Sequence, residues 1–276
     1  ESPTQAHASE GVVWLQWHPR GHVILAGTED GFLFMWQLQH HKVKRREVYW
    51  VNCLQIFHGH NSEMVTCGSF GSGGKVVVSG SMDATLRIYN PKDGTLSHQL
   101  MDPTHMHAEP ITALACHRTD PICVSGDRAG RVALTNIQSG KLIHQLPSDG
   151  TKGHSDSVEA IGFSRMVDGI VATGSLDGTM RLWDLNSGKE RACCNQFGDG
   201  VTTLAWSPRI PMVVTGSVSG KIRVWSSMDG ALLRTFTGHR AAVIDVQFSW
   251  DGTHVMSGSE DESVRIFQLQ SNHPDQ

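Results

Sequence analysis

The sequence has 276 residues, enough for one large domain or two small ones. It carries 23 Lys and Arg against 27 Asp and Glu, so its net charge of −4 provides no global positive field for nucleic acid. No stretch approaches the roughly 18–20 apolar residues that span a bilayer, and no signal peptide is visible, which argues against a membrane partner. The sequence begins at Glu1 without Met, which favours truncation upstream.

The six cysteines lack the paired C-x-x-C spacing of a zinc site. Most of them lie within predicted strands, so we expect reduced, packed thiols in a protein of the cytoplasm or nucleus. They are Cys53, Cys67, Cys116, Cys123, Cys193 and Cys194.

One pattern recurs six times along the chain: a small residue and Gly, a turn that often contains Asp, and a few positions later a residue that is aromatic in five of the six copies. The positions of the last residue are Trp36, Tyr89, Thr135, Trp183, Trp225 and Phe267. They stand 42 to 53 residues apart, close to the roughly 40–45 of one four-stranded propeller blade. The sequence therefore predicts an all-β propeller, with six four-stranded blades in a single domain over residues 1–276.

Each copy alternates short apolar runs with turns, as the copy that ends at Trp183 illustrates. Its predicted strands are Val158–Phe163, Ile170–Thr173 and Met180–Trp183. Asp177-Gly178 supplies the tight turn between the second and third strands, since Asp and Gly tolerate its backbone angles. A single sheet cannot cover both of its faces, so neighbouring blades must pack against each other.

A Gly-His pair precedes three of these positions by a nearly constant interval. His60, His154 and His239 stand 29, 29 and 28 residues before Tyr89, Trp183 and Phe267. With this mark the sequence resembles the WD-repeat family, over about residues 10–270.

That resemblance implies one hydrogen-bonded network per blade, built from a loop His, a strand Ser or Thr, the turn Asp and the Trp. The matching residues are His60, Ser79, Asp83 and Tyr89; His154, Thr173, Asp177 and Trp183; and His239, Ser257 and Asp261. Phe267 cannot donate a hydrogen bond, so the last network must be incomplete. Ala129 and Thr135 replace Asp and Trp in the third blade, which we expect to be the weakest.

The opening repeat has a more particular resemblance. Glu10-Gly-Val-Val-Trp14-Leu-Gln-Trp17-His-Pro-Arg20, and the third blade without its Trp, resemble the angio-associated migratory cell protein family. The family includes a fungal chaperone that escorts a basic protein of the large ribosomal subunit, and members linked to cell migration and signalling. Its members are expected to have eight blades. The chain therefore either closes as six blades or is part of an eight-bladed ring.

Motifs for chemistry are absent from the sequence. Gly71-Ser-Gly-Gly-Lys75 fails the phosphate-loop pattern and reads as a hairpin before the strand Val76–Ser79. The 16 histidines form no H-E-x-x-H pair, and no G-x-S-x-G nucleophile motif occurs. We predict no metal, no cofactor, no small-molecule substrate and no enzymatic activity.

Lys42-Val-Lys44-Arg45-Arg46 lies within a predicted insertion loop at residues 38–51. It reads either as a solvated basic loop or as a contact for RNA or an acidic protein.

Acidic residues stand just before the first strand of five blades or beside a turn Asp, where they open on one face of such propellers. They are Glu10, Glu29, Glu63, Glu109, Asp156, Asp199 and Glu260. A concentrated negative potential attracts Lys- and Arg-rich segments. We therefore expect a scaffold or chaperone that binds a basic protein segment, such as a ribosomal protein during large-subunit assembly. The alternatives are a signalling or cell-migration adaptor and an RNA-associated factor that uses Lys42–Arg46.

Overall fold

The computed structural model describes residues 11–43, 46–102, 104, 106–196 and 198–269. These residues form six antiparallel sheets, whose strands are hydrogen-bonded in chain order. The chain divides into two compact units, and each is described by itself. The first unit contains the residues up to Arg128 and Ala133–Ile143, and the second contains Ala129–Val132 and the residues from His144 onward.

The first unit contains the first two sheets and most of the third. The first sheet consists of β1 (Val12–Trp17), β2 (Val23–Thr28), β3 (Leu33–Val43) and β4 (Arg46–Phe57). The second consists of β5 (Val65–Gly71), β6 (Val76–Ser81), β7 (Leu86–Tyr89) and β8 (Leu96–Leu100). The third consists of β9 (Ile111–Cys116), β10 (Ile122–Asp127), β11 (Val132–Asn136) and β12 (Lys141–Leu146).

The second unit contains the remaining three sheets. The fourth sheet consists of β13 (Val158–Phe163), β14 (Ile170–Ser175), β15 (Thr179–Asp184) and β16 (Lys189–Asn195). The fifth consists of β17 (Val201–Trp206), β18 (Met212–Ser217), β19 (Ile222–Ser226) and β20 (Leu232–Phe236). The sixth consists of β21 (Val243–Phe248), β22 (His254–Ser259) and β23 (Val264–Gln268).

The hydrophobic core lies between neighbouring sheets. Between the fifth and sixth sheets, Val214, Ile222 and Val224 pack against Val243 and Val246, and all five are 0 or 1% exposed. Since every strand alternates its side chains between two faces, a sheet packed on both sides is apolar on both. This explains why a second strand such as Ile170–Ser175 is buried along its whole length.

Two sequence predictions need correction. The predicted loop at residues 38–51 forms strands wherever the structure describes it: residues 38–43 and 46–51 continue β3 and β4, and the two strands pair from Leu33 opposite Phe57 to Val43 opposite Arg46. Residues 44 and 45 fall outside the described residues. The insertion lengthens a hairpin because strand pairing provides hydrogen-bond partners for backbone N–H and C=O groups that in a free loop would bond only to water. The sixth sheet shows three strands, not four, within the part of the chain that the structure describes.

The glycine-rich segment before Lys75 is a hairpin turn between β5 and β6. The backbone N–H groups of Gly74 and Lys75 both donate to the carbonyl of Gly71, at 3.0 and 3.1 Å. The segment therefore closes on itself and does not open a helix. In the described ranges, no helix has the length and hydrophobicity needed to cross a membrane.

Candidate functional site

In the second sheet, a buried histidine forms hydrogen bonds with a strand residue and a turn residue. His60 lies before β5, Ser79 lies in β6 and Asp83 lies in the turn that follows. Because an ionised carboxylate only accepts hydrogen bonds, His60 donates through Nδ1 to Asp83 at 3.1 Å, and its Nε2 accepts from the Ser79 hydroxyl at 2.7 Å. Burial lowers the pKa of His60 and so favours the neutral imidazole. Burial opposes ionisation of Asp83, but hydrogen bonds from His60 and Thr85 outweigh it and lower the pKa of Asp83 to about 2.

The fourth sheet repeats this arrangement and adds an indole. His154 binds Asp177 through Nδ1 at 3.0 Å and Thr173 through Nε2 at 2.7 Å. The Trp183 indole donates to the same Thr173 hydroxyl at 2.8 Å. Thr173 therefore accepts from the indole while it donates to the imidazole. In the second sheet the equivalent aromatic, Tyr89, donates its hydroxyl to the carbonyl of His58 at 3.3 Å.

The sixth sheet has the same network without the indole. His239 binds Asp261 at 3.1 Å and Ser257 at 2.7 Å. A hydrogen bond from the Ser263 hydroxyl is the main cause that lowers the pKa of Asp261. Phe267 packs against Phe236, with ring centroids 4.8 Å apart, and supplies no donor to the network.

The third sheet holds a network that sequence reasoning missed. His107 Nδ1 lies 3.0 Å from Asp127, and His107 Nε2 lies 2.7 Å from the Ser125 hydroxyl. The carboxylate comes from the end of β10 instead of the turn, where Ala129 stands. One signal was visible in the sequence: His107 precedes Thr135 by 28 residues, the interval of the other histidines. Among the described residues of the third sheet, the Thr135 hydroxyl is buried without a hydrogen-bond partner.

In the fifth sheet a glutamine replaces the histidine. Gln196 donates to Thr215 at 2.7 Å and accepts from Arg223 at 2.6 Å, and the Trp225 indole donates to Thr215 at 3.0 Å. Arg223 also donates to Asp199 at 2.9 Å. The turn position that holds Asp in other sheets is Ser219 here, and Asp199 supplies the carboxylate in its place.

The order of carboxylate, imidazole and hydroxyl resembles that of a hydrolase triad. A nucleophile must reach a substrate carbonyl, however. The hydroxyl-bearing residues Ser79, Ser125, Thr173 and Ser257 are 0 or 1% exposed. These networks therefore connect strands and turns, and have no access to a substrate. In the described ranges, no group of three His, Cys, Asp or Glu side chains is arranged to hold a metal ion.

At one end of each sheet, the loop that leads into the first strand lies beside the turn between the second and third strands. We call this end the turn end. There the residue that opens the turn between the second and third strands donates its N–H to a carbonyl just before the first strand. Examples are Glu29 to Gly11 at 3.0 Å and Glu260 to Ala242 at 3.0 Å. The two kinds of predicted acidic position therefore share one end of each sheet.

In the first unit, Glu29, Glu63 and Glu109 are exposed at the turn end. The turn of the first sheet touches the loop that leads into the second, because a Cβ on Gly31 would lie 3.0 Å from the carbonyl oxygen of Glu63. Glu29 and Glu63 therefore lie on adjacent loops. Glu10 falls outside the described residues.

In the second unit, Asp156 and Glu260 are exposed at the turn end. Asp199 is different: its side chain is 12% exposed and accepts hydrogen bonds from Arg223 and from the Ser219 hydroxyl, the latter at 2.6 Å. These bonds lower the pKa of Asp199 against the opposing effect of burial. The geometry assigns Asp199 to the network of the fifth sheet, and we remove it from the candidate surface.

The sequence matches the family described as WD domain, G-beta repeat, over residues 2–37, 51–90, 140–184, 191–226 and 230–268. The chain belongs to the WD-repeat family. Residues 91–139, which include most of the third sheet, fall outside the matched ranges. Proteins of this family are generally non-catalytic scaffolds for protein interaction.

Among known proteins, the chain is similar to the angio-associated migratory cell protein of Homo sapiens, with 32% identity over 93% of this chain and 58% of that protein. It is also similar to a WD repeat-containing protein of Schizosaccharomyces pombe, with 28% identity over 79% of this chain and 55% of the relative. The chain thus spans little more than half the length of these relatives. A solved structure, described as the mitotic checkpoint complex, contains a chain with a TM-score of 0.78 and 19% identity, over 95% of this chain and 76% of that one. This likeness shows the fold.

Proposed function

We propose that this WD-repeat chain is a non-enzymatic scaffold or chaperone that binds a basic protein segment at the turn end of its first unit. The observation that carries this proposal is a separation of charge between the two ends of that unit. Three exposed glutamates lie at the turn end: Glu29, Glu63 and Glu109. In the first–second hairpins at the opposite end lie three exposed cations, Arg20, Lys75 and Arg118, and one exposed acid, Asp120, whereas the turn end carries one exposed cation, Arg128.

The two ends act as separate electrostatic surfaces. A strand of six residues, such as β2, spans about 20 Å at roughly 3.3 Å per residue. This exceeds the screening length of about 8 Å at physiological ionic strength, so the hairpin cations do not cancel the field at the turn end. A Lys- or Arg-rich segment is attracted to the turn end and repelled by the hairpin end.

The class of client is the second part of the proposal. The resemblance to the angio-associated migratory cell protein family suggests a basic protein of the large ribosomal subunit, escorted in the cytoplasm or nucleus. A client from signalling or cell migration would make the chain an adaptor at the same surface. Identification of the basic protein that co-purifies with the chain distinguishes the two.

The test measures binding of a fluorescent Lys- and Arg-rich peptide by anisotropy. We compare the double variant Glu29→Lys/Glu63→Lys with the control Asp120→Lys/Asp168→Lys, whose positions are exposed in first–second hairpins away from the turn end. Both variants change the net charge equally. If each glutamate attracts the peptide by about 0.5 kcal/mol and each lysine repels it by the same amount, the two substitutions weaken binding by about 2 kcal/mol, or roughly thirtyfold. Equal losses in the two variants would show attraction to net charge alone and would contradict the proposal.

A labelled single-stranded RNA is the second probe. The RNA-associated alternative requires the basic residues of Lys42–Arg46, of which residues 44 and 45 fall outside the described part of the chain. We expect weak RNA binding, unchanged when the basic residues of this segment are replaced by Ser. Tight RNA binding that this replacement removes, without peptide binding, would favour the alternative.

A further inference from the structure

An exposed arginine stands among the glutamates at the turn end of the first unit. Arg128 opens the turn between β10 and β11. Its backbone N–H donates to the carbonyl of Pro110 at 2.9 Å, which places it beside Glu109 on the loop that leads into β9. A cation in this place opposes the attraction of the glutamates for a basic segment. Its position therefore affects which segments the surface binds.

The side chain of Arg128 reaches across to the second sheet. Its Nη2 atom lies 3.8 Å from the sulfur of Met82, which opens the turn between β6 and β7. The backbone N–H of Met82 donates to the carbonyl of Met64, the residue after Glu63, at 3.0 Å. The guanidinium group therefore lies at the turn end of the second sheet, on the same pair of loops as Glu63.

The guanidinium group keeps most of its hydrogen-bonding capacity. An arginine has several N–H donors, and a thioether sulfur is only a weak acceptor. Among the described residues, the side chain of Arg128 contacts Met82 and forms no ion pair with a carboxylate. An exposed guanidinium group in this state can form a charge-assisted hydrogen bond with an anionic group of a partner.

The neighbouring glutamates restrict the kind of anion that fits. Glu63 lies beside Met82 and Glu109 lies beside Arg128, so the contact between the two sheets has an exposed glutamate near each end. Two carboxylates repel a phosphate group, with its charge of about −2, more strongly than a singly charged carboxylate. The arrangement therefore favours the side chain of Asp or Glu over a phosphorylated residue.

The distance between sheets fixes the spacing of charges in such a partner. Packed sheets lie roughly 10 Å apart, and an extended chain rises about 3.3 Å per residue. In a segment that crosses the second and third sheets, the residues facing Glu63 and Glu109 are therefore about three positions apart. The residue that faces Arg128 lies between them.

We propose that Arg128 is a specificity-determining residue of the turn end and selects basic segments that carry Asp or Glu between their Lys or Arg residues. This inference rests on the proposed function, because the glutamates must hold the basic residues of the client. A uniformly basic segment places a cation against Arg128, and the repulsion weakens its binding. A segment of mixed charge pairs with both glutamates and with the arginine.

Fluorescence anisotropy with two labelled peptides tests the proposal. The peptides share the same lysines and differ at one central position, which is Gln in one and Glu in the other. Attraction to net charge alone favours the Gln peptide, whereas we expect the unmodified chain to prefer the Glu peptide. Arg128→Glu replaces an attraction with a repulsion and shifts the preference toward the Gln peptide by roughly fivefold, or about 1 kcal/mol.

The matched control is Arg118→Glu. Arg118 is exposed in the same sheet, in the hairpin between β9 and β10 at the opposite end, so the net charge changes equally. We expect this variant to keep the preference of the unmodified chain. Arg128→Gln removes the charge without reversing it and should shift the preference by about half as much in free energy. Thermal unfolding checks that all three variants fold.

Two results overturn the role of Arg128: an unmodified chain that prefers the Gln peptide, or a preference that Arg128→Glu changes no more than Arg118→Glu does. The double variant Glu29→Lys/Glu63→Lys separates this failure from failure of the proposed function. If it weakens both peptides while Arg128→Glu leaves the preference unchanged, only the specificity inference fails. If it leaves both peptides bound as before, the proposed site and the inference fail together.

Discussion

The imidazole of His107 lies 3.0 Å from the carboxylate of Asp127, and their side chains are only 2% and 0% exposed. The pair stands in the third sheet, where Ala129 and Thr135 replace the usual turn Asp and Trp of the repeat. A carboxylate two residues earlier in the chain reaches the same imidazole nitrogen. The third sheet therefore keeps the hydrogen bond between the loop histidine and a carboxylate, although the residue at the usual turn position cannot form it.

Loss of Asp127 should destabilise the first unit strongly. Asp127→Ala leaves a buried imidazole donor unpaired, and we expect the free energy of unfolding to fall by about 3 kcal/mol. Urea denaturation followed by tryptophan fluorescence measures the change. Ala129→Ser, at the exposed turn position, is the control and should change stability by less than about 0.5 kcal/mol. A smaller loss for Asp127→Ala than for Ala129→Ser would contradict the role of this carboxylate.

The buried Thr135 hydroxyl predicts a stabilising change. Because its oxygen has no hydrogen-bond partner, Thr135→Val removes an unsatisfied polar group at constant shape and should raise the free energy of unfolding by about 1 kcal/mol. Thr173→Val is the matched comparison, because Thr173 bonds both His154 and Trp183. We expect it to lower stability by about 2 kcal/mol. Thermal unfolding of both variants tests the contrast, which opposite signs support and equal losses refute.

The histidine networks predict that stability begins to fall at a pH above the range in which carboxyl groups titrate. Burial lowers the pKa of both His60 and His154 from the ordinary value of 6.5. The unfolded chain therefore binds more protons than the folded chain below about pH 6.5, and stability falls as the pH falls. Each histidine contributes a slope of at most about 1.4 kcal/mol per pH unit. Asp83, with its pKa of about 2, adds a second loss, between the ordinary carboxyl range and about pH 2.

His154→Gln isolates the histidine part of this pH dependence. The fifth sheet already uses Gln196 in the equivalent place, so the variant has a precedent within the chain. We expect it to fold and to lose part of the stability change between pH 7 and pH 5, measured by denaturation at each pH. An unchanged slope would show that His154 titrates alike in the folded and unfolded chain.

Asp199 and Glu63 should respond in opposite ways to the same substitution. Asp199→Ala leaves Arg223 without its carboxylate partner and should lower stability by about 2 kcal/mol, whereas Glu63→Ala should change it by less than about 0.5 kcal/mol. Binding of the basic peptide should show the reverse order. Loss of peptide binding in a stable Asp199→Ala protein would return Asp199 to the interaction surface.

The sequence alone determined the repeat and its strands. The aromatic positions and the alternation of apolar residues, as in Val158–Phe163, are local features, because strand period and turn chemistry depend on residues close together in the chain. The intervals between histidine and aromatic residue likewise follow from the length of one sheet. This local pattern also located the acidic positions, including Glu29 and Glu63.

Only the tertiary structure decided which partners those residues have. Asp127 and Asp199 reach their networks from positions outside the repeat pattern, since a side chain bonds whatever the register places beside it. Residues 38–43 and 46–51 lengthen a hairpin because β3 and β4 continue to pair across the sheet. Whether an apolar strand is buried depends on the neighbouring sheet: Val243 and Val246 of the sixth sheet pack against Ile222, which is fully buried.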